Sequence, residues 1–201
     1  MAKSTIYVIR HAESTHNVTK DFSLRDPGLT PLGLTQASSL GTTFPTLSSI
    51  GIIISSPLRR TLETTLAGFS EIIDKGGVKL RLDADLQERS DLPCDTGSEV
   101  GELQAKFPGV DFAGLGDGWY SKEGRNAADD ESVRARARAV RGRLARVVKE
   151  LEGSERKDVV VVTHGVFMKF LTGDESIDLP KAGWRAYTLE GGDGEEILLE
   201  V

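Results

Sequence analysis

Two short apolar runs, far apart in the chain, each end on a histidine, and this pair constrains the fold more than any other feature. The first is Ile6-Tyr7-Val8-Ile9, followed by Arg10 and His11. The second is Val159-Val160-Val161-Val162, followed by Thr163 and His164. Runs of this length, rich in β-branched residues, suit strands buried inside a sheet. Ligands of open α/β sheets bind at the carboxyl ends of the strands. Arg10 and His11 are therefore expected at the mouth of a pocket, and His164, delivered in the same way, is expected in the same site.

Between these runs strands and helices alternate. Val18 to Gly28 reads as a polar loop near the site. Thr30-Pro31 has the form of an N-cap with proline at the first helical position, and the helix should run to about Phe44 with Leu32, Ala37, Leu40 and Phe44 inward. Ile50–Ile54 is a buried strand. Ser56-Pro57 repeats the cap-and-proline start, opening a helix with Leu58, Leu62, Thr65, Leu66, Phe69 and Ile73 on one stripe and a stop at Gly76-Gly77. Strand Val78–Leu82, a loop over 86–97, and a short helix over 98–107 follow. Residues 131–152 form a helix, since Val133, Ala137, Val140, Leu144, Val147 and Leu151 recur at three- and four-residue steps. Its six arginines are assigned to a solvated face, with Trp119, Tyr120 and Trp184 assigned to packing. A helix from Val166 and two strands, 184–189 and 195–201, joined by a Gly191–Gly194 hairpin turn, close the chain. The expected fold is α/β: one three-layer domain, residues 1–201, with a mostly parallel sheet and helices on both faces. The glycine-rich stretch within 89–129 is expected to serve as a lid or specificity insertion.

Composition narrows the function. The 201 residues carry 25 Lys and Arg against 31 Asp and Glu, a net charge of −6, which argues against nucleic acid or an anionic membrane as partner. A single cysteine, Cys94, fits a reducing compartment, and no apolar leader or membrane-length stretch is seen, so the cytoplasm is the expected location. On the same grounds Asn17-Val18-Thr19 is an accidental glycosylation sequon. No Walker loop is present, and Gly114, Gly116 and Gly118 do not follow a strand, which removes a dinucleotide fingerprint. Cys94 has no arginine six places on, so it is not a cysteine-phosphatase nucleophile. His11 and His16 have the wrong spacing for a helical zinc pair, and a His/Asp zinc site stays open but nothing in the sequence prompts it.

What remains is an arginine–histidine cluster: Arg10 and His11, Arg59 and Arg60 in the first turn of a helix, and His164. Guanidinium forks suit phosphate oxygens, and a helix start adds N–H groups and positive dipole. A histidine in that field can attack phosphorus, with the cations stabilising the transferring group. The leaving oxygen then needs a proton donor. Glu88 is the attractive candidate, with Asp85, Asp91 and Asp95 close in sequence as alternatives.

The set R-H-A-E-x-x-x-N at 10–17, S-P-L-R-R-T-L-E-T at 56–64, L-Q-E at 86–88 and T-H-G at 163–165 resembles the histidine phosphatase superfamily, also called phosphoglycerate-mutase-like. The motifs stand in the family's order and span nearly the whole chain. The resemblance implies a phosphohistidine on His11, a phosphoryl pocket of Arg10, Asn17, Arg60 and His164, Glu88 as general acid that then activates water, and no metal or organic cofactor. Of the paired arginines the family pattern selects Arg60. The family's usual R-H-G is R-H-A here. The implied function is hydrolysis of a small phosphorylated metabolite. The alternatives are a mutase passing the phosphoryl group to a second hydroxyl, and an anion-binding protein turned to another use. His16 is expected in a supporting or solvent-facing place, and the oligomeric state is left open.

Overall fold

The computed structural model describes residues 3–75, 77–192 and 194–201. Gly76, half of the expected helix stop, and Asp193, in the expected hairpin turn, lie outside them. The strands are β1 (Ile6–Arg10), β2 (Ile50–Ser55), β3 (Lys79–Leu82), β4 (Asp158–Thr163), β5 (Trp184–Glu190) and β6 (Ile197–Glu200). The helices are α1 (Thr15–Thr19), α2 (Pro31–Thr43), α3 (Arg59–Asp74), α4 (Val100–Lys106), α5 (Asp130–Glu150) and α6 (Gly165–Thr172).

The strands form one sheet in the order β3-β2-β4-β1-β5-β6. β3, β2, β4 and β1 run parallel, while β5 and β6 close the edge antiparallel. Alternation along the strands separates two cores. Ile6, Val8, Val159 and Val161 pack with Val133, Val140 and Leu144 of α5 and Phe167 of α6. Tyr7, Ile9, Val160 and Val162 pack with Leu40, Phe44 and Phe69 on the other face. This is the expected three-layer α/β domain. No helix among the described residues is long and apolar enough to cross a membrane.

β1 and β4 are neighbours, with Arg10 opposite Thr163 in the register. The ladder continues one residue further, the N–H of His11 donating to Thr163 O at 2.9 Å. The two histidines thus leave the sheet side by side.

Three expectations are corrected. Leu32 is 56% exposed and Gly33 takes its inward place. A Cβ on Gly33 would meet Glu13 O at 1.9 Å, so α2 approaches the loop after β1 backbone to backbone and its stripe begins on a residue without a side chain. The third helix starts at Arg59 rather than after Ser56, with Leu58 extended at the N-cap; the Ser56 hydroxyl bonds His164 instead. The α5 arginines are not one solvated face. Arg134, Arg138 and Arg146 are exposed, but Arg136 is buried. Its Nη1 donates to the carbonyls of Asp85 and Gln87 at 2.8 and 3.0 Å.

The segment 89–129 folds into short helical turns and α4 around a third apolar cluster. In that cluster Leu103, Phe107, Phe112 and Trp119 pack on Leu58 and Leu62.

Candidate active site

At the carboxyl ends of β1 and β4 lies a pocket of about 380 Å³ whose walls include Arg10, His11, Asn17, Arg60 and Glu88. Five of the six residues singled out from the sequence therefore line one cavity. The sixth, His164, is fully buried, and its ring centroid lies 5.2 Å from that of His11.

His11 is nearly buried, and its Nδ1 lies 2.7 Å from Ala12 O. A carbonyl only accepts, so Nδ1 carries the proton and Nε2 keeps its lone pair. Arg60 donates its Nε–H to that Nε2 at 3.3 Å. Burial, then the charges of Arg60 and Lys181, hold the imidazole well below its ordinary pKa. It is neutral at physiological pH.

Arg60 is 1% exposed, and its guanidinium also donates to Cys94 O and to Asp95 Oδ1, each at 2.7 Å. Asp95 in turn accepts from Ser90 Oγ at 2.6 Å. Arg59 points elsewhere and lines a separate surface cavity with Arg25 and Lys106. Arg10 is anchored by Asp178 at 2.7 Å and by Leu179 O, while its Nε, shielded from solvent, has no partner among the described residues. A Cβ on Gly165 would lie 3.1 Å from Arg10 Nη2, so the glycine of T-H-G leaves room for that guanidinium. His164 bonds Ser56 Oγ through Nε2 at 2.9 Å, and its buried Nδ1 is likewise unpartnered. Burial, Arg60 and His11 keep it neutral too.

Glu88 caps α6 from outside the helix. Its Oε2 accepts from the N–H of Val166 at 3.0 Å, and its Oε1 from Phe167 at 2.9 Å and Arg89 at 2.8 Å. Burial and the nearby Asp95 charge raise its pKa despite these donors. Of the alternatives, Asp85 is tied to Arg125 and Arg143, Asp95 is paired with Arg60, and Asp91 is exposed. The loop bearing Glu88 is pinned by Arg136 and by Thr163 Oγ1, which donates to Leu86 O at 2.9 Å.

Asn17 Oδ1 accepts from Ser14 Oγ at 3.0 Å and its Nδ2 donates to His16 Nε2 at 3.0 Å. His16 is buried at the pocket wall rather than facing solvent, and burial pushes its pKa down to about 4. His16, Cys94 and Asp95 bring donor atoms within 4.8 Å of one another, a set that could hold a cation. The Asp95 carboxylate is already engaged by Arg60, and both His16 nitrogens are in hydrogen bonds. Lys181, pushed down to about 8 by burial and Arg10, also lines the pocket. Neither Lys181 nor Ser56 stood out in the sequence as a site residue. A lysine before Ala-Gly-Trp carries no signal, and Ser56-Pro57 has the local form of a helix cap.

The profile of the histidine phosphatase superfamily (branch 1) matches residues 6–192. A protein of Schizosaccharomyces pombe named "probable phosphatase" is 31% identical over 187 residues, covering 88% of this chain and 83% of its own. A "phosphoglycerate mutase-like protein" of Arabidopsis thaliana is 25% identical over 200 residues, covering 82% and 72%. Among solved structures, the mycobacterial glucosyl-3-phosphoglycerate phosphatase complexed with VO3 shares the fold at a TM-score of 0.63. It has 22% identity and covers 98% of this chain and 97% of its own. By profile, sequence and fold together, the chain belongs to the histidine phosphatase superfamily.

Proposed function

We propose that the protein hydrolyses the phosphomonoester of a small phosphorylated metabolite through a covalent phosphohistidine. His11 Nε2 attacks phosphorus in line with the ester oxygen. The P–N bond forms as the P–O bond breaks, and the leaving oxygen takes a proton from Glu88. Water then attacks phosphorus, gives its proton back to Glu88, and releases inorganic phosphate and neutral His11. Arg10, Arg60, His164 and Asn17 hold the phosphoryl oxygens. Arg10 Nε and His164 Nδ1, both shielded and without a partner among the described residues, are the groups a phosphoryl oxygen would engage. No metal or organic cofactor enters any step.

One observation carries this reading. The Nδ1–H of His11 is held by Ala12 O, so a neutral Nε2 lone pair is presented beside a guanidinium. Within the same proposal, segment 89–129 shapes specificity, since Leu92, Cys94 and Asp95 form one wall of the pocket. The test is turnover of p-nitrophenyl phosphate. His11→Ala should abolish it with circular dichroism unchanged, and an active alanine variant would defeat the proposal. The name of the Arabidopsis relative favours phosphoryl transfer to a second hydroxyl as the runner-up. With 3-phosphoglycerate, free phosphate marks the hydrolase and an isomer marks the mutase.

A further inference from the structure

A groove of about 620 Å³ is lined by residues of α5, α6 and β6. Its walls carry Arg89, Arg134, Arg138, Arg141 and Lys169 against Asp130 and Glu175. Five cations against two carboxylates is a local excess of three positive charges, on a chain whose net charge is −6. Concave surfaces lined by one sign of charge concentrate ligands of the other sign.

The cations are held mostly by groups that leave their charge in place. Arg89 and Arg134 lie 5.7 and 5.6 Å from the ring centroid of Phe170 and share the single carboxylate of Asp130. Arg141 donates to the backbone carbonyls of Phe170, Leu171 and Glu196. Among the described residues, the ion pairs include neither Arg138 nor Lys169. Between the cations the surface is apolar, with Val166 40% and Ile197 52% exposed.

Val166 and Lys169, on α6, line both this groove and the catalytic pocket. The groove and the catalytic pocket therefore adjoin at these two residues. We propose that the groove is a subsite for a second anionic group of the substrate. The preferred class is then a phosphomonoester bearing a further phosphate or carboxylate on a flexible or apolar spacer. The proposal rests on the phosphatase reading of His11 for its catalytic end, while the groove itself is a matter of binding.

The test uses alkanediol bisphosphates of graded chain length against hydroxyalkyl monophosphates of the same lengths. Binding is measured by calorimetry on the His11→Ala protein, and turnover on the unaltered enzyme. At the best length the bisphosphate should bind roughly tenfold more tightly. The preference should shrink with added salt and vanish in an Arg138→Ala, Lys169→Ala double variant. Arg138→Ala alone should leave turnover of the hydroxyalkyl monophosphates unchanged, which controls for folding. Equal binding at every length, or a preference that survives the double variant, overturns the subsite. A groove-dependent preference without hydrolysis by the unaltered enzyme would sink the phosphatase reading alone. Hydrolysis of both series without preference would sink the subsite alone.

Discussion

The guanidinium of Arg60 donates through Nε to His11 Nε2 at 3.3 Å while its two terminal nitrogens hold Cys94 O and Asp95. One buried cation thus fixes the lone pair of the nucleophile and a wall of the pocket together. Lysine cannot make all three bonds, because its ammonium is a point donor without a planar fork. Arg60→Lys should therefore cut kcat/KM by about 10²–10³, the cost of losing one preorganised charge-stabilising donor. Steady-state kinetics on a soluble phosphomonoester checks this; activity within a few-fold of the original would contradict it.

Glu88 is needed only as far as the leaving oxygen needs a proton. For alkyl phosphates, whose alkoxide leaves poorly, Glu88→Gln should lower kcat by about 10²–10⁴. For p-nitrophenyl phosphate the loss in the first step should be much smaller, so the ratio of the two substrates' rates should widen in the variant. Equal losses on both would place the proton donor elsewhere.

Asp95 carries a pH prediction. Its charge helps hold the Glu88 pKa up, and its partner Arg60 pulls that pKa down. Glu88 donates only while protonated, so kcat falls as pH rises through its pKa. Asp95→Asn removes the raising charge and leaves the lowering one, so the alkaline limb of kcat against pH should move to lower pH. A limb that stays in place, or moves up, would contradict the assignment of Glu88.

Arg136 bears on stability and catalysis together. Arg136→Met would fill the space but strand the carbonyls of Asp85 and Gln87, two buried acceptors next to Glu88. The expected cost is about 2–4 kcal/mol in urea unfolding, from unsatisfied buried groups. A kcat loss beyond the stability effect should follow, because the loop loses its clamp. A variant with both quantities unchanged would show that the loop is held without Arg136, by Thr163 and by the arginine pairs of Asp85.

The parts of the fold visible in the sequence were those written locally. β1 and β4 are apolar runs ending in histidine, and their register follows from side-by-side pairing. The helix over 131–152 was legible because its inward residues are large and regularly spaced. The inward stripe of α2 is displaced by one residue from the sequence pattern because its first inward residue is Gly33, which allows backbone approach and is invisible to a hydrophobic count. Ser56 reads as a cap by local rules, yet its hydroxyl bonds a residue 108 positions away. The Arg60–Asp95 pair spans 35 residues, and the inward turn of Arg136 depends on carbonyls 49 and 51 residues back. Such partners are set by tertiary packing, which local patterns do not encode.

The account depends on Nε2 of residue 11 taking the phosphoryl group. The direct measurement is rapid quenching of the enzyme with a turned-over phosphomonoester into base, where phosphohistidine survives, followed by mass spectrometry and phosphorus NMR of the isolated peptide. The prediction is one phosphoryl group on His11, bonded at Nε2, formed and lost at rates compatible with kcat. Phosphorylation of His164 instead, or sustained turnover with no phosphohistidine at any quench time, would contradict it.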